Sequence, residues 1–460
     1  MLKHDNSDTI TAISTPAGVG GIGIVRLSGK DALKVADKIF CSKDGSKPSG
    51  FKTFTTHYGW ISDGDKMIDE VILTVMRAPR SFTKEDIVEI NCHGGIIPLR
   101  AILDLVLACG CRLAEPGEFT KRAFLNGRID LAQAEAVLDI IRAKTDAALK
   151  LGVEQLKGGL SKELNKAREM LLDILMLLEA NIDFPEEGIN KIDLQEYNAK
   201  LKEAEEEFKK IIAGSARGRI YREGVRAVIC GKPNVGKSSL LNALLKCERS
   251  IVTPVAGTTR DTIEEIIDIK GIPVRIMDTA GILEPRGLVE KKAVERSRKH
   301  IGFADLILVI FDGSRALDKA DLNLIKKLPK KPVIAVINKM DLRQKIKKEK
   351  LSQIFPRVIE VSAKKTKNIG ILEDGIADLV YKGEVSSGEA AMVSNLRHIS
   401  AIKEAQILIA EARNSLDNKT PPEFIAQDVK DALVLIDSIL GKRFSEDLLD
   451  KIFSEFCIGK

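Results

Sequence analysis

Nine residues near the middle of the chain, Gly231-Lys-Pro-Asn-Val-Gly-Lys-Ser-Ser239, have the spacing GxxxxGK[ST]. In that pattern backbone N–H groups wrap phosphates at the start of a helix. Gly231 and Gly236 let the loop turn tightly, so that the amides of Asn234, Val235 and Gly236 can approach an anion closely. Lys237 is placed to reach β- and γ-phosphates, Ser238 to offer its hydroxyl to magnesium, and Ser239 continues into the helix. Three more segments follow in order: Asp278-Thr279-Ala280-Gly281, Asn338-Lys339-Met-Asp341 and Ser362-Ala363-Lys364. Asp278 matches an acidic magnesium partner, and the Gly281 N–H can meet a γ-phosphate. Asn338 and Asp341 suit the edge of guanine, the carboxylate accepting two N–H groups, with Ser362 to Lys364 completing the base pocket. Adenine offers the wrong donors there, and a buried polar site left unpaired discriminates by roughly 10⁴-fold. Four such segments in sequence point to GTP.

Between the loop and Asp278 lies Val252-Thr-Pro-Val-Ala-Gly-Thr-Thr-Arg-Asp261, where a threonine can close over magnesium when a γ-phosphate is present. Thr258 and Thr259 both qualify. Directly after Asp-Thr-Ala-Gly stands Ile282, where many GTPases carry a water-orienting Gln. Another group must therefore place the water, and a positive charge must offset the transition state. Glu284, Glu290, Arg260, Arg275 and Arg286 have suitable chemistry.

Each motif needs an element to hold it. The apolar runs Arg226–Cys230, Val274–Met277, Val333–Ile337 and Val358–Val361 read as strands, and Ser238–Leu245 as the helix after the loop. Strands alternating with helices predict a P-loop α/β domain over 223–381, with a mostly parallel sheet. Residues 1–124 mix short alternating runs (Ile22–Leu27, Val71–Val75, Ile87–Ile90) with Gly/Pro turns, an α+β pattern. Residues 125–222 carry helical spacing, as in Leu131, Ala134, Val137, Leu138 and Ile141, with Pro185 the only proline. Helical spacing returns over 382–460, so the α/β domain reads as an insertion between two halves of one helical domain. The expected fold is thus multidomain α/β. A chain of 460 residues is too long for one core. Its +6 net charge permits RNA contact without arguing for it, and 4% aromatic residues exclude an extensive base-stacking platform. Seven scattered cysteines, a polar N-terminus and no membrane-length apolar run suggest a cytosolic chain.

Gly18-Val-Gly-Gly-Ile-Gly23 formally matches GxGxxG, but a strand-like run follows where a helix is required, so a turn or close-approach surface is expected. His93, in Asn91-Cys-His-Gly-Gly95, is expected to be a hydrogen-bonded structural residue. Cys109 and Cys111 are expected in the core. Cys457 lies beside the C-terminal Lys460, where a thiol could be accessible; a small core residue anchoring the tail is the favoured expectation. The lysine-rich stretch Arg343–Lys350 reads as a solvated face, with an RNA or partner contact open.

The start Asp8-Thr-Ile…Arg26-Leu-Ser-Gly29, the segments Asn91–Gly95 and Glu115–Glu135 and the terminal Phe-Cys-Ile-Gly-Lys460 together resemble the MnmE (TrmE) family of tRNA modification GTPases, from end to end. The resemblance implies a homodimer formed through the N-terminal domain. That domain would bind 5-formyltetrahydrofolate or a related one-carbon tetrahydrofolate through Arg26, Glu89, Arg128 and Lys460. It implies a flavoprotein partner, MnmG (GidA), in a heterotetramer or larger complex that adds an aminomethyl-type group to carbon five of the wobble uridine of certain tRNAs. Potassium would be held by Asn234, Thr253, Val255 and Thr258, magnesium by Ser238 and Thr259. Glu290 would orient water indirectly, and Cys457 is implicated in the modification. A GTP-dependent assembly factor on ribosomal RNA is the contrasting reading; the N-terminal domain and the tail argue against it.

Overall fold

The computed structural model describes residues 8–16, 18–183, 194–247, 264–278, 302–381, 393–418 and 420–460. The chain folds as two compact units. One comprises Met1–Leu138, Leu156–Arg168 and Leu433–Lys460; the other comprises Asp139–Gln155 and Glu169–Ala432.

The first unit is built on a seven-stranded sheet of β1 (Ile10–Ile13), β2 (Ile22–Ser28), β3 (Phe40–Ser42), β4 (Thr55–Asp63), β5 (Lys66–Met76), β6 (Ile87–His93) and β7 (Arg112–Leu113), ordered β3-β4-β5-β6-β2-β1-β7. All pairs are antiparallel except β1 with β7. Alternation along β2 divides its side chains between two faces. Val25 and Leu27 join the core under helices Ala32–Ile39 and Ile96–Ala108, while Arg26 points to the other face, where Phe119 closes a small cluster with Ile10, Ala12 and Ala114. The C-terminal segment belongs to this unit too. Leu449, Phe453 and Phe456 pack with Phe124, Leu131 and Leu138. The Arg168 guanidinium meets Asp437 at 2.5 Å.

The second unit contains a six-stranded sheet of β8 (Val225–Cys230), β9 (Glu264–Ile269), β10 (Ile272–Asp278), β11 (Leu306–Asp312), β12 (Val333–Asn338) and β13 (Val358–Glu360), ordered β13-β12-β11-β8-β10-β9. Only β9 runs antiparallel. The continuous apolar runs of β8, β11 and β12 arise because both faces are covered. Leu306, Leu308 and Ile310 enter one core and Ile307, Val309 and Phe311 the other. The order reverses at β8, with β11 on one side and β10 on the other, so the loop after β8 opens at the point where α/β sheets bind ligands. Helical segments from both sides of this sheet in sequence pack together. Helix Leu194–Ala213 lies against Leu396–Asp417, with Glu205 to Arg413 at 2.6 Å and Asn198 to Asp417 at 3.0 Å.

Among the described residues no helix is long and apolar enough to cross a membrane.

Candidate functional site

The loop after β8 has the backbone its glycines require. Gly231 and Gly236 have φ of 154° and 96°, and a Cβ at Gly236 would overlap the Asn338 side-chain amide. The helix Lys237–Cys247 begins at the loop's lysine, so its first amides and partial positive charge face the same opening. The Lys237 ammonium curls over the loop, donating to the carbonyls of Gly231 and Lys232 at 3.0 Å each. A fixed cation beside helix-terminal amides fits a polyphosphate. Ser238, Ser239 and the Asn234 side chain are exposed, and Val235 is buried. Asp278 ends β10 in register with Ile229 of β8; its side chain lies outside the described residues. Exposed hydroxyl and amide oxygens, with a carboxylate-bearing strand end beside β8, are the donors hard cations select.

The base loops are tied to this phosphate loop by a buried asparagine. Asn338, 2% exposed, donates from Nδ2 to the Val235 carbonyl at 2.9 Å, and its Oδ1 accepts from Lys339 N at 2.8 Å and Ala363 N at 3.0 Å. One side chain thereby fixes three loops. Ser362 donates to Asp341 Oδ1 at 2.6 Å, and that hydrogen bond holds the exposed Asp341 carboxyl below its ordinary value. An ionised carboxylate only accepts, which is what two guanine N–H groups demand. The Lys339 ammonium bridges the Asn234 carbonyl at 2.9 Å and Asp312 at 2.7 Å. Burial works against the Asp312 charge, and its hydrogen bonds from Lys339 and Ser314 outweigh it, leaving the pKa lowered. Lys364 is exposed at the rim.

Sequence reasoning missed two supports of this site. Asp312 ends the buried run of β11, and a carboxylate at the end of an all-apolar strand was the available signal. Lys232, inside the phosphate loop, reaches Asp318 and Asp321 at 2.7 Å each. Both belong to the capping box of helix Lys319–Lys327, and the Lys232 hydrogen bond is the leading reason the Asp318 carboxyl sits at about 2. Residues Thr253, Val255, Thr258, Thr259, Arg260, Thr279, Ala280, Gly281, Ile282, Glu284, Arg286 and Glu290 lie outside the described residues.

A second constellation forms in the other unit. Arg26 and Glu89 are register partners on β2 and β6, joined at 2.7 Å, with side chains 17% and 19% exposed. Arg26 also donates to the Gly459 carbonyl at 3.3 Å and stacks over Phe119, 5.6 Å from its centroid. The tail reaches it because Pro116 bridges Ile458, Gly117 N donates to Cys457 O, and Phe119 N donates to Lys460 O at 3.2 Å. Gly459, at φ 92°, lies so close to the Ile13 carbonyl that a Cβ would overlap it. Arg128 is exposed and stacks over Phe82 at 4.8 Å; Phe82 packs against the cluster of Ile10, Ala12, Ala114 and Phe119. Arg26 and Arg128 thus each lie over a phenyl ring of the same apolar cluster, rings that sequence reasoning had not singled out. The Ser14 hydroxyl, beside Gly459, is buried with no hydrogen-bond partner among the described residues. Paired charges and an orphan hydroxyl are groups that can hold a polar, acidic ligand.

Beneath this constellation lies an ion network. Arg122, 4% exposed on the side chain, meets Asp8, Glu85 at 3.2 Å and Glu118 at 3.1 Å, while Arg112 meets Asp8 at 2.7 Å and Glu118 at 2.6 Å. Burial opposes the charges of Asp8 and Glu118, yet the arginine hydrogen bonds win and both pKa values are lowered.

Other expectations divide. Gly18–Gly23 runs directly into β2 without a helix; Gly20 N donates to Gly94 O at 3.1 Å, and Gly94 leaves no room for a Cβ there. This is the close approach anticipated. His93 is held by Asp69 at 2.7 Å. Cys111 is buried and Cys109 packs at the edge of the same core, and burial pushes the Cys111 thiol to about 12. Cys457 corrects the core-residue expectation: it is exposed, because Phe456 and the backbone of Gly459, not the thiol, anchor the tail.

Comparison with known proteins identifies the family. Residues 131–457 match the MnmE helical domain family, and residues 9–128 match the family described as GTP-binding protein TrmE N-terminus. The chain is 47% identical over 457 residues to the tRNA modification GTPase MnmE of Alkaliphilus oremlandii, covering 98% of this chain and 99% of that one. The protein of the same name from Clostridioides difficile is 47% identical over 455 residues, covering 98% and 99%. That of Bacillus velezensis is 45% identical over 458 residues, covering 98% and 100%.

Proposed function

The chain belongs to the MnmE family of tRNA modification GTPases, and from that premise we propose that potassium-stimulated GTP hydrolysis here serves a flavoprotein-assisted, folate-dependent modification of tRNA. The GTP hydrolase activity and its role in tRNA modification follow from the family. The observation that carries the nucleotide reading is Asn338, buried and bonded at once to Val235 and Ala363.

In this reading Lys237 holds the β- and γ-phosphates, Asn338 and Asp341 select guanine, and Ser362, Ala363 and Lys364 close the base pocket. Ser238, Asp278 and Thr259 would hold magnesium; Asn234, Thr253, Val255 and Thr258 would hold potassium. These ions supply positive charge where the transition state gathers negative charge, in place of an arginine. Glu290 would act on the attacking water through an intermediary, since Ile282 cannot hydrogen-bond.

For the modification, Arg26, Glu89, Arg128 and Lys460 would hold a tetrahydrofolate whose one-carbon unit is transferred, with Cys457 exposed beside them. Exposed Val19, Ile22, Ile96 and Ile97, brought together by the Gly20–Gly94 contact, support a homodimer through the N-terminal domain. The flavoprotein partner, the wobble uridine as target, the cytoplasmic location and the insertion of 223–381 between two helical halves complete the proposal. Nucleoside analysis of tRNA from cells lacking the chain tests it. Loss of an aminomethyl-type group at carbon five of wobble uridine is expected; an unchanged nucleoside profile would rule the proposal out.

A further inference from the structure

The positive charge of this chain is not spread over it. Residues 339–367 hold ten Lys or Arg and three Asp or Glu, a net of +7, whereas the whole chain carries +6. The other 431 residues therefore sum to −1. These 29 residues run from the end of β12 through β13 and into the loop beyond, and they surround the guanine-recognition residues.

Two of the ten cations are committed to the fold. Lys339 is held by Asp312, and Arg357 by the Gly375 carbonyl and Asp378. The other eight, five between 343 and 350 and three between 364 and 367, are all exposed, and none has an ion-pair partner among the described residues. The backbone holds both groups at the strand ends. Lys345 N and Ile346 N donate to the Gly313 carbonyl at 2.7 and 3.4 Å, buried Ile346 anchors the first group, and Ser362 and Lys367 pair as a bridge that sets the second. Met340 N donates to Val361 O at 3.0 Å and so keeps the two loops adjacent.

We propose that this lysine rim is a docking surface for the phosphate backbone of tRNA. The inference rests on the reading that tRNA is the substrate of this chain. Eight cations without ion pairs on neighbouring loops, in a stretch of net charge +7, repel one another, and a polyanion relieves that repulsion while releasing counterions. The stretch has a single aromatic residue, Phe355, and it is buried, so the surface has no ring on which to stack a base. The contact is therefore to phosphates and independent of sequence, which positions a substrate without selecting it. An acidic protein surface is the competing partner; the rim's exposed apolar residues are only scattered, Leu342 and Ile354, and offer no buried centre for a protein interface.

The test changes Lys345, Lys347, Lys348, Lys350, Lys365 and Lys367 to Gln in the full-length protein and measures tRNA binding between about 50 and 200 mM potassium chloride. Each lost phosphate contact lowers the slope of log affinity against log salt by about 0.7–0.9. A slope shallower by about 3 or more, and at least a tenfold weaker affinity at about 100 mM salt, is expected. Basal GTP hydrolysis should be unchanged, which also reports an intact fold. Wild-type binding with an identical slope and affinity in the variant overturns the rim while sparing the tRNA reading. Retained tRNA binding with loss of a protein partner overturns it in favour of a protein-docking face. No tRNA binding by the wild type at any salt removes the substrate reading and the rim together.

Discussion

The guanine loops and the tail constellation reach order by different routes. Around the nucleotide loop each functional residue lies at the end of its own strand, and parallel pairing of β8, β11, β12 and β13 brings those ends together. Asn338, Lys339 and Lys232 then lock the loops from within. Around Arg26 the parts come from β2, β6, the helix Glu118–Leu125 and the last four residues, segments separated by as many as 433 positions. Nothing local fixes them, so a buried ion network and a glycine close approach do so. The first arrangement is a property of strand order; the second depends on single long-range contacts. The second region should accordingly be the more fragile.

The largest effect is expected at Arg122→Ala. Removing this buried cation leaves Glu85 without its ion pair and Asp8 and Glu118 with Arg112 alone, a loss of about 3–5 kcal/mol. Chemical denaturation of the variant measures it, and a change below about 1 kcal/mol would show that the network is not what holds this region. Gly459→Ala comes next. Positive φ and the Ile13 carbonyl both exclude a methyl group, so the tail should detach at a cost of about 1–3 kcal/mol. Hydrogen exchange should accelerate at Phe119 and Lys460 while leaving β8 and β12 protected; unaltered exchange at Phe119 would contradict the docking.

A smaller effect belongs to the more robust region. Lys232→Ala loosens the phosphate loop from Asp318 and Asp321 and should weaken GTP binding by about threefold to tenfold, with Lys232→Arg restoring most of it. Equal loss in both variants would assign Lys232 a different task. The mildest is a pH dependence of the first unit. Asp8 and Glu118 have folded pKa values below their unfolded ones, so the unfolded chain takes up protons first on acidification. Their contribution is complete above the ordinary carboxylate range and is lost as pH falls below about 4.5 toward the folded values. Arg122→Ala should flatten that dependence, and an unchanged acid limb would separate the two observations.

The same contrast explains what was legible from residues alone. Strand-end motifs carry their own context, so Lys237, Ser238, Asn338, Asp341 and Ser362 could be found by spacing, and the alternation of strands and helices placed them in an α/β sheet. Arg26 and Glu89 carry no local signal. Their pairing depends on β2 and β6 being neighbours, and only the family resemblance named them. The tail's membership of the N-terminal unit was hidden for a similar reason: Phe453 and Phe456 sit in an ordinary amphipathic pattern, and what they pack against lies more than 300 residues away. Cys457 was misjudged because terminal burial was assigned to the thiol, when its neighbours Phe456 and Gly459 provide it.

The central claim is that the loops after β8, β12 and β13 recognise guanosine triphosphate through the Asp341 carboxylate. Xanthosine triphosphate carries an oxygen where guanine has its exocyclic amine, so it requires a donor at position 341. Calorimetric titration of wild type and Asp341→Asn with both nucleotides, in magnesium and potassium buffer, tests this directly. The wild type should prefer guanosine triphosphate by about 100-fold or more, and the variant should reverse that preference. A variant that binds guanosine triphosphate as tightly as the wild type would contradict the claim.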